Sequence, residues 1–319
     1  MERDNSTPVA EFVLLGLPNQ TIAHTILFAM IVLIFIASLS GNSLLLFLIY
    51  VNSTLHTPMY FFLCQLSFMD ICQITAVVPK ILVSFVTRKN VISLAGCGAQ
   101  IFFTLTMGGA ECLLLAVMSY DRYVAICSPL QYSAIMSRRL CLTMSAGVWL
   151  GAFLDAFLQT VSVMYLPFCR SNVVNHLFCE VPVLMKLSCS DISVYETVLF
   201  VLGILLLLIP SSVILASYIR ILSAILRMCS AEGRRKAFST CSSHLTVVGL
   251  FYGAAIFMYM RPSSYHSPEQ DRIVSVFYTI VAPIVNPLIY SLRNRDVLAA
   301  LRKLGASRRP GTSYGYGGP

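Results

Sequence analysis

The chain has 319 residues, 57% of them hydrophobic and 11% charged, with a mean hydropathy of +0.78. Soluble domains carry about 25% charged residues, so a large water-soluble core is excluded, and lipid is the solvent that tolerates so many outward-facing apolar side chains. The net charge of +8 then reflects attraction to anionic inner-leaflet lipid, and no nucleic-acid partner is expected.

A polar leader, 1–24, comes first. It lacks the basic start and short apolar core of a cleavable signal. It carries the glycosylation sequon Asn5-Ser6-Thr7 on an expected free segment. A second sequon at Asn19 sits close to the membrane, and a third at Asn52 is discounted because it falls on the inner side. Seven apolar stretches follow at 25–50, 58–79, 98–121, 140–162, 196–222, 238–260 and 271–292, each near the ~20 residues a spanning helix needs. None alternates as a barrel strand would. The expected fold class is an all-α membrane protein, a seven-transmembrane-helix bundle over 25–292. If the N-terminus is extracellular, fourteen of the 22 Lys and Arg residues fall on inner loops and the tail, the bias expected of a cytoplasmic face.

The long outer segment at 163–195 holds Cys169, Cys179 and Cys189, and Cys97 lies in another outer segment. Four cysteines in an oxidising compartment allow three pairings. This segment is predicted to fold over the outer mouth of the bundle. Pro79, Pro210, Pro283 and Pro287 sit in or near spans, where proline removes a backbone hydrogen bond and bends a helix. The tail, 293–319, opens with "RNRDVLAALRKL". Its Val297, Leu298, Leu301 and Leu304 share one helical face, the pattern of a short amphipathic interfacial helix.

Three acids lie within spans: Asp70, Glu111 and Asp155. A charge at mid-membrane costs at least about 2.5–3.5 kcal/mol and usually marks function. Asp70 and Glu111 lie midway through their spans, so they can share a proton or bind a small cation with help from Ser67, Asn42 and Asn286. The alternative is a neutral acid that ties helices together. No other cofactor or metal is expected. The five histidines are scattered, and no H-E-x-x-H, G-x-S-x-G or phosphate-cradling glycine loop occurs, so enzymatic chemistry is not expected. A proton- or cation-coupled transporter competes on the strength of the mid-span acids, but no internal repeat of broken helices supports it.

Asp121-Arg122-Tyr123 at the third span and Asn286-Pro287-Leu288-Ile289-Tyr290 at the seventh resemble a class A, rhodopsin-like G-protein-coupled receptor. More narrowly, "LHTPMYFFL" (55–63), "MSYDRYVAIC" (118–127), "SY" (217–218), "KAFSTCSSHL" (236–245) and "PIVNPLIYSLRN" (283–294) resemble the signatures of olfactory receptors across nearly the whole chain. The resemblance implies that Asp121 restrains Arg122 at rest, with Tyr218 and Tyr290 near it. An outward swing of the sixth helix then frees Arg122 for the α subunit of a heterotrimeric G protein. Lys236 would lie where that protein docks, and Tyr252 would replace the pivot tryptophan of other receptors.

Asn42, Asp70, Glu111 and Asn286 match the family's central polar cluster, a possible sodium site. The implied disulfides are Cys97–Cys179 and Cys169–Cys189. The implied pocket takes Thr104, Leu105, Met107, Gly108, Leu202, Leu206, Ala255, Tyr259 and Thr279. It would bind a small, mostly apolar odorant, with Tyr259 or Thr104 as donor. Thr104 stands where amine receptors carry an aspartate, so a biogenic amine is a poor expectation. The implied output is cyclic AMP through a stimulatory, olfactory-type G protein, from the plasma membrane of sensory cilia. A class A receptor for an endogenous metabolite outside the nose is the nearest rival.

Overall fold

A computed structural model describes residues 10–15, 21–169, 171–260, 267–292 and 294–307. In order the elements are β1 (Glu11–Leu14), α1 (Thr21–Val51), α2 (Pro58–Thr87), β2 (Val91–Ser93), α3 (Leu94–Cys127), α4 (Arg138–Met164), β3 (Val173–Val174), α5 (Ser193–Leu226), α6 (Ala231–Tyr259), α7 (Glu269–Tyr290) and α8 (Arg295–Ser307). Helices α1 to α7 are each long and apolar enough to cross a membrane. The sequon at Asn5 lies outside the described residues, as does Asn19.

Local chemistry sets the helix ends. Ser93, Ser137 and Ser230 cap α3, α4 and α6 by accepting the backbone N–H three residues on. Pro58 opens α2, where its missing N–H costs nothing. Arg88 closes α2 in the left-handed conformation, with φ 55°. Two expected boundaries are corrected here. Helix α2 runs past the expected boundary at 79 to Thr87, so Lys80 lies inside it, its Nζ donating to the Val91 carbonyl at 2.6 Å. Helix α3 continues past the expected boundary at 121 to Cys127, so Asp121-Arg122-Tyr123 lies within the helix.

Burial is inverted relative to a soluble protein. Leu33, Leu150, Leu215 and Leu226 face outward, each more than half exposed, while Ser38, Asn42, Ser67, Asp70, Ser119 and Asn286 are buried. Outward-facing leucines are stable only against lipid. Helix α3 is the hub, packing on α2, α4, α5 and α6.

A small sheet caps one end of the bundle, in the order β2-β1-β3. Strand β1 runs antiparallel to β2, with Phe12 opposite Ile92, and parallel to β3, with Val13 opposite Val173. Phe12 is fully buried and meets Phe168 edge-on at 5.2 Å. Part of the expected free leader is therefore a central strand. The same end carries both disulfides, Cys97–Cys179 and Cys169–Cys189, with Cα separations of 5.5 and 5.8 Å. Asp191, exposed at the start of α5, accepts the Ser193 N–H at 3.0 Å, which holds its carboxyl below the usual range.

At the opposite end, α8 buries Val297 and Ala300 and exposes Arg302 and Lys303. Asn294 caps α8 and accepts from Tyr60 of α2 at 3.1 Å.

The Cys97–Cys179 bridge spans 82 residues. Closing a loop of that length restrains the unfolded chain by several kcal/mol, and removing such a bridge typically costs about 2–5 kcal/mol. Cys97→Ala is expected to melt well below the parent when purified in detergent. An unchanged melting temperature would show that the bridge does not stabilise this end.

Candidate ligand cavity and switch cluster

Near the disulfide end, between α3, α4, α5, α6 and α7, lies a cavity of about 100 Å³. Of the nine residues expected to form a pocket, eight line it: Thr104, Leu105, Gly108, Leu202, Leu206, Ala255, Tyr259 and Thr279. Met107 does not; it is buried in the core cluster instead. Successive helical side chains point about 100° apart; Gly109, on the other side of Gly108, shares its wall, while Met107 does not. A Cβ built on Gly108 meets nothing within 4 Å, so the missing side chain is itself cavity space.

The wall is shaped by two π-helical turns, Ile204–Leu208 in α5 and Phe277–Val281 in α7. Such turns occur often at functional sites, and here both put residues on the cavity. Pro210 follows the first of them. It has no N–H for the Leu206 carbonyl four residues back, and Cys112 of α3 supplies the donor, its Sγ at 2.6 Å from that oxygen. Tyr252 of α6 in turn donates to the Cys112 carbonyl at 2.7 Å. One residue of α3 thus joins α5 and α6 at the cavity wall.

Most polar groups on this wall are already engaged. Thr104 Oγ1 donates to the carbonyls of Gln100 and Ile101 at 2.8 and 3.0 Å. Tyr259 and Tyr278 are hydrogen-bonded to each other, and Tyr278 donates to Glu180. The Glu180 carboxylate also accepts from Ser275 at 2.9 Å, with His176 Nε2 at 3.8 Å. The hydroxyls expected to greet a ligand, those of Thr104 and Tyr259, are committed to the protein.

Deeper in the bundle, α2, α3 and α7 bring three expected residues together. Asn286 Nδ2 donates to Asp70 Oδ1 at 3.1 Å and to Glu111 Oε1 at 2.9 Å, all three buried. Asn42 is turned elsewhere, its Nδ2 donating to the Pro283 carbonyl at 2.8 Å, while its Oδ1 has no partner. No group of three or more His, Cys, Asp or Glu suited to a metal occurs among the described residues.

The remaining expected residues lie at the far end. Asp121 does not pair with Arg122 but accepts from Tyr132 Oη at 2.7 Å. Burial first, then the Asp121 carboxylate, hold the Tyr132 phenol above its ordinary pKa, so it remains a donor. Arg122 is half-buried beside Met59. Tyr218 Oη and His244 Nδ1 are 2.8 Å apart, and Tyr290 Oη is buried without a partner. The Tyr123 ring lies 6.3 Å from that of Tyr120. Pro287 lies inside a helix of the seventh span. Lys236 falls on α6, its side chain outside the described residues.

A family profile described as "Olfactory receptor" matches residues 31–307. The chain belongs to the olfactory receptor family. Olfactory receptor 2T27 of Homo sapiens is 55% identical over 304 residues, covering 95% of this receptor and 96% of its own length. Olfactory receptor 2T7 of Homo sapiens is 57% identical over 277 residues, covering 87% and 90%. The crystal structure of squid rhodopsin superposes with a TM-score of 0.70 at 20% identity, over 90% of this chain and 86% of that one, which shows the fold. The receptor is a multi-pass membrane protein with the seven-helix fold of rhodopsin, and not an enzyme. Its family implies odorant sensing and G-protein coupling.

Several residues that build these sites carried no assignment from sequence. Gln73, Asp155, Gln159, Phe178 and Glu180 line the cavity, and His244 holds Tyr218. Asp155 had a signal, an acid inside a span. His244 sat within a quoted motif but gained a partner only through the packing of α6 on α5.

Tyr252→Phe removes the α6 donor to Cys112 and nothing else, a loss of about 1 kcal/mol. The purified variant is expected to melt slightly but measurably earlier than the parent. A coincident melt would mean the α3–α6 contact carries no stability.

Proposed function

We propose that this receptor binds a small, mostly apolar volatile in the cavity and activates a stimulatory, olfactory-type G protein, raising cyclic AMP. In this reading residues 1–24 are extracellular, 25–292 form the receptor domain, and 293–319 form the cytoplasmic tail at the plasma membrane. One observation carries the reading: Cys112 lines the cavity and is also the acceptor that ties α6 to α3 through Tyr252. A ligand there acts on the joint whose far end holds the Arg122 group.

The cavity's size supports a small ligand, since an apolar cavity of about 150 Å³ accommodates benzene. The wall residues Thr104, Leu105, Gly108, Leu202, Leu206, Ala255, Tyr259 and Thr279 would contact it, with burial as the main source of affinity. At about 25 cal/mol per Å² of apolar area, that affinity is modest.

A ligand favouring an outward α6 would draw His244 from Tyr218 and open the end where Arg122 lies. Arg122 would then meet the C-terminal helix of the G protein α subunit. Arg234, Arg235 and Phe238 line a groove with α5 residues at that end, and Lys236 lies in the same stretch of α6. Tyr123, Pro287 and Tyr290 would complete the switch. Population of the open state rises only by the ligand's preference for it.

Asp70, Glu111 and the unpartnered Asn42 Oδ1 are oxygen donors, which suit a hard cation. A sodium ion held there would favour the resting arrangement, in which Asn286 bridges both acids.

Cells expressing this chain are expected to give a concentration-dependent cyclic AMP response to at least one member of a panel of small volatiles. Arg122→Ala should abolish that response at unchanged surface level. Gly108→Leu, which fills the cavity, should raise the half-maximal concentration by about tenfold or more, equivalent to about 1.4 kcal/mol. A response untouched by Arg122→Ala would refute the signalling mechanism, and one untouched by Gly108→Leu would move the ligand elsewhere. Asp70→Asn is expected to change basal cyclic AMP or its dependence on sodium; if neither changes in a signalling-competent variant, the cation reading is wrong.

A further inference from the structure

Asp155 is an acid deep within a span that the switch and the central cluster leave unused. It comes from α4, lines the cavity, and is 8% exposed. Its Oδ2 accepts from Gln159 Nε2 at 2.8 Å, and its Oδ1 has no hydrogen-bond partner. Among the side chains lining the cavity, it carries the unpartnered buried polar atom. Glu180, the second acid on the wall, is taken by Ser275 and Tyr278. Among the described residues, no Lys, Arg or His lines the cavity. The ion pairs found among the described residues, His176–Glu180 and Lys186–Asp271, do not involve Asp155.

A buried carboxyl oxygen left without a partner costs stability, and the native state is expected to explain it. Among the described residues the cavity wall has acids and no base, and a ligand bound there can bring the counter-group. Resting on the reading that this cavity is the ligand site, we infer that Asp155 is its specificity-determining residue and that the ligand is a small apolar amine.

An amine completes Asp155 from either protonation state. An ammonium donates N–H to the carboxylate. A free base takes the proton of the neutral carboxyl, the O–H bond breaking as the N–H bond forms, and reaches the same ion pair. A ketone satisfies only the neutral acid, and an alcohol brings no counter-charge to the ionised one. Charge-assisted hydrogen bonds are about twice as strong as neutral ones, and more so away from water. The expectation drawn from Thr104 alone, that a biogenic amine is a poor ligand, considered one helix. The structure supplies the acid from another.

The test uses three probes of one carbon skeleton, cyclopentylamine, cyclopentanol and cyclopentanone, on wild type and Asp155→Asn. Two readouts are taken: cyclic AMP in cells, and melting of the purified receptor in lipid nanodiscs. In wild type the amine should act at about a tenfold lower concentration than the other two. Asp155→Asn should raise the amine's half-maximal concentration by about tenfold, or about 1.4 kcal/mol, and move the other two far less. The inference is overturned if the three probes rank equally in wild type, a result that needs no variant to fold. Equal weakening of all three by Asp155→Asn would overturn it too. Amine-specific stabilisation that depends on Asp155, without cyclic AMP, would sink the signalling reading and keep this one. A cyclic AMP response indifferent to the head group would do the reverse.

Discussion

Inside lipid every backbone carbonyl must find its donor within the protein, and each proline in a span withholds one. At two of these places the partner comes from another helix. Pro287 cannot serve the Pro283 carbonyl, which accepts instead from Ser38 and Asn42 of α1 at 3.1 and 2.8 Å. Pro210 cannot serve Leu206, and Cys112 of α3 does. The prolines read from sequence as bends are therefore also docking points. They tie α1 to α7 and α3 to α5 through groups that cannot be left alone in hydrocarbon.

The same logic places the polar interior. With lipid outside there is no hydrophobic drive to push apolar faces together, so polar contacts and close fit orient the helices. Asn286 illustrates this: one amide group reaches acids on two other helices. The cavity beside this core is walled by the joint at Cys112 and by two π turns, where helical hydrogen bonding is already irregular. The parts most able to rearrange adjoin both the cavity and the helix that reaches the Arg122 end.

The spans were legible because apolarity sustained over twenty residues is a local property of the chain. Strand β1 was not, since four residues acquire strand character only by pairing with Val91–Ser93 and Val173–Val174 far along the sequence. Cavity residues on α3, α5, α6 and α7 could be named from motif positions, yet Met107 was included because spacing along a helix was not converted into direction. Phe178 and Glu180 were hidden because a loop's path over the bundle depends on its disulfides. The hydrogen bond to Asp121 was hidden for a similar reason: the resemblance pointed to Arg122, and only the fold brings Tyr132 from the following turn.

The three-stranded cap also bears on how the molecule is made. Strand β1 lies between β2 and β3, so its second neighbour is synthesised about 160 residues after it, beyond the fourth span. Chains fold as they emerge, and contacts between distant segments wait for both partners. Phe12 and Leu14, buried in the finished protein, have no complete shelter until α4 is in place and the following loop has arrived. The earliest made of the described elements is thus among the last to be finished.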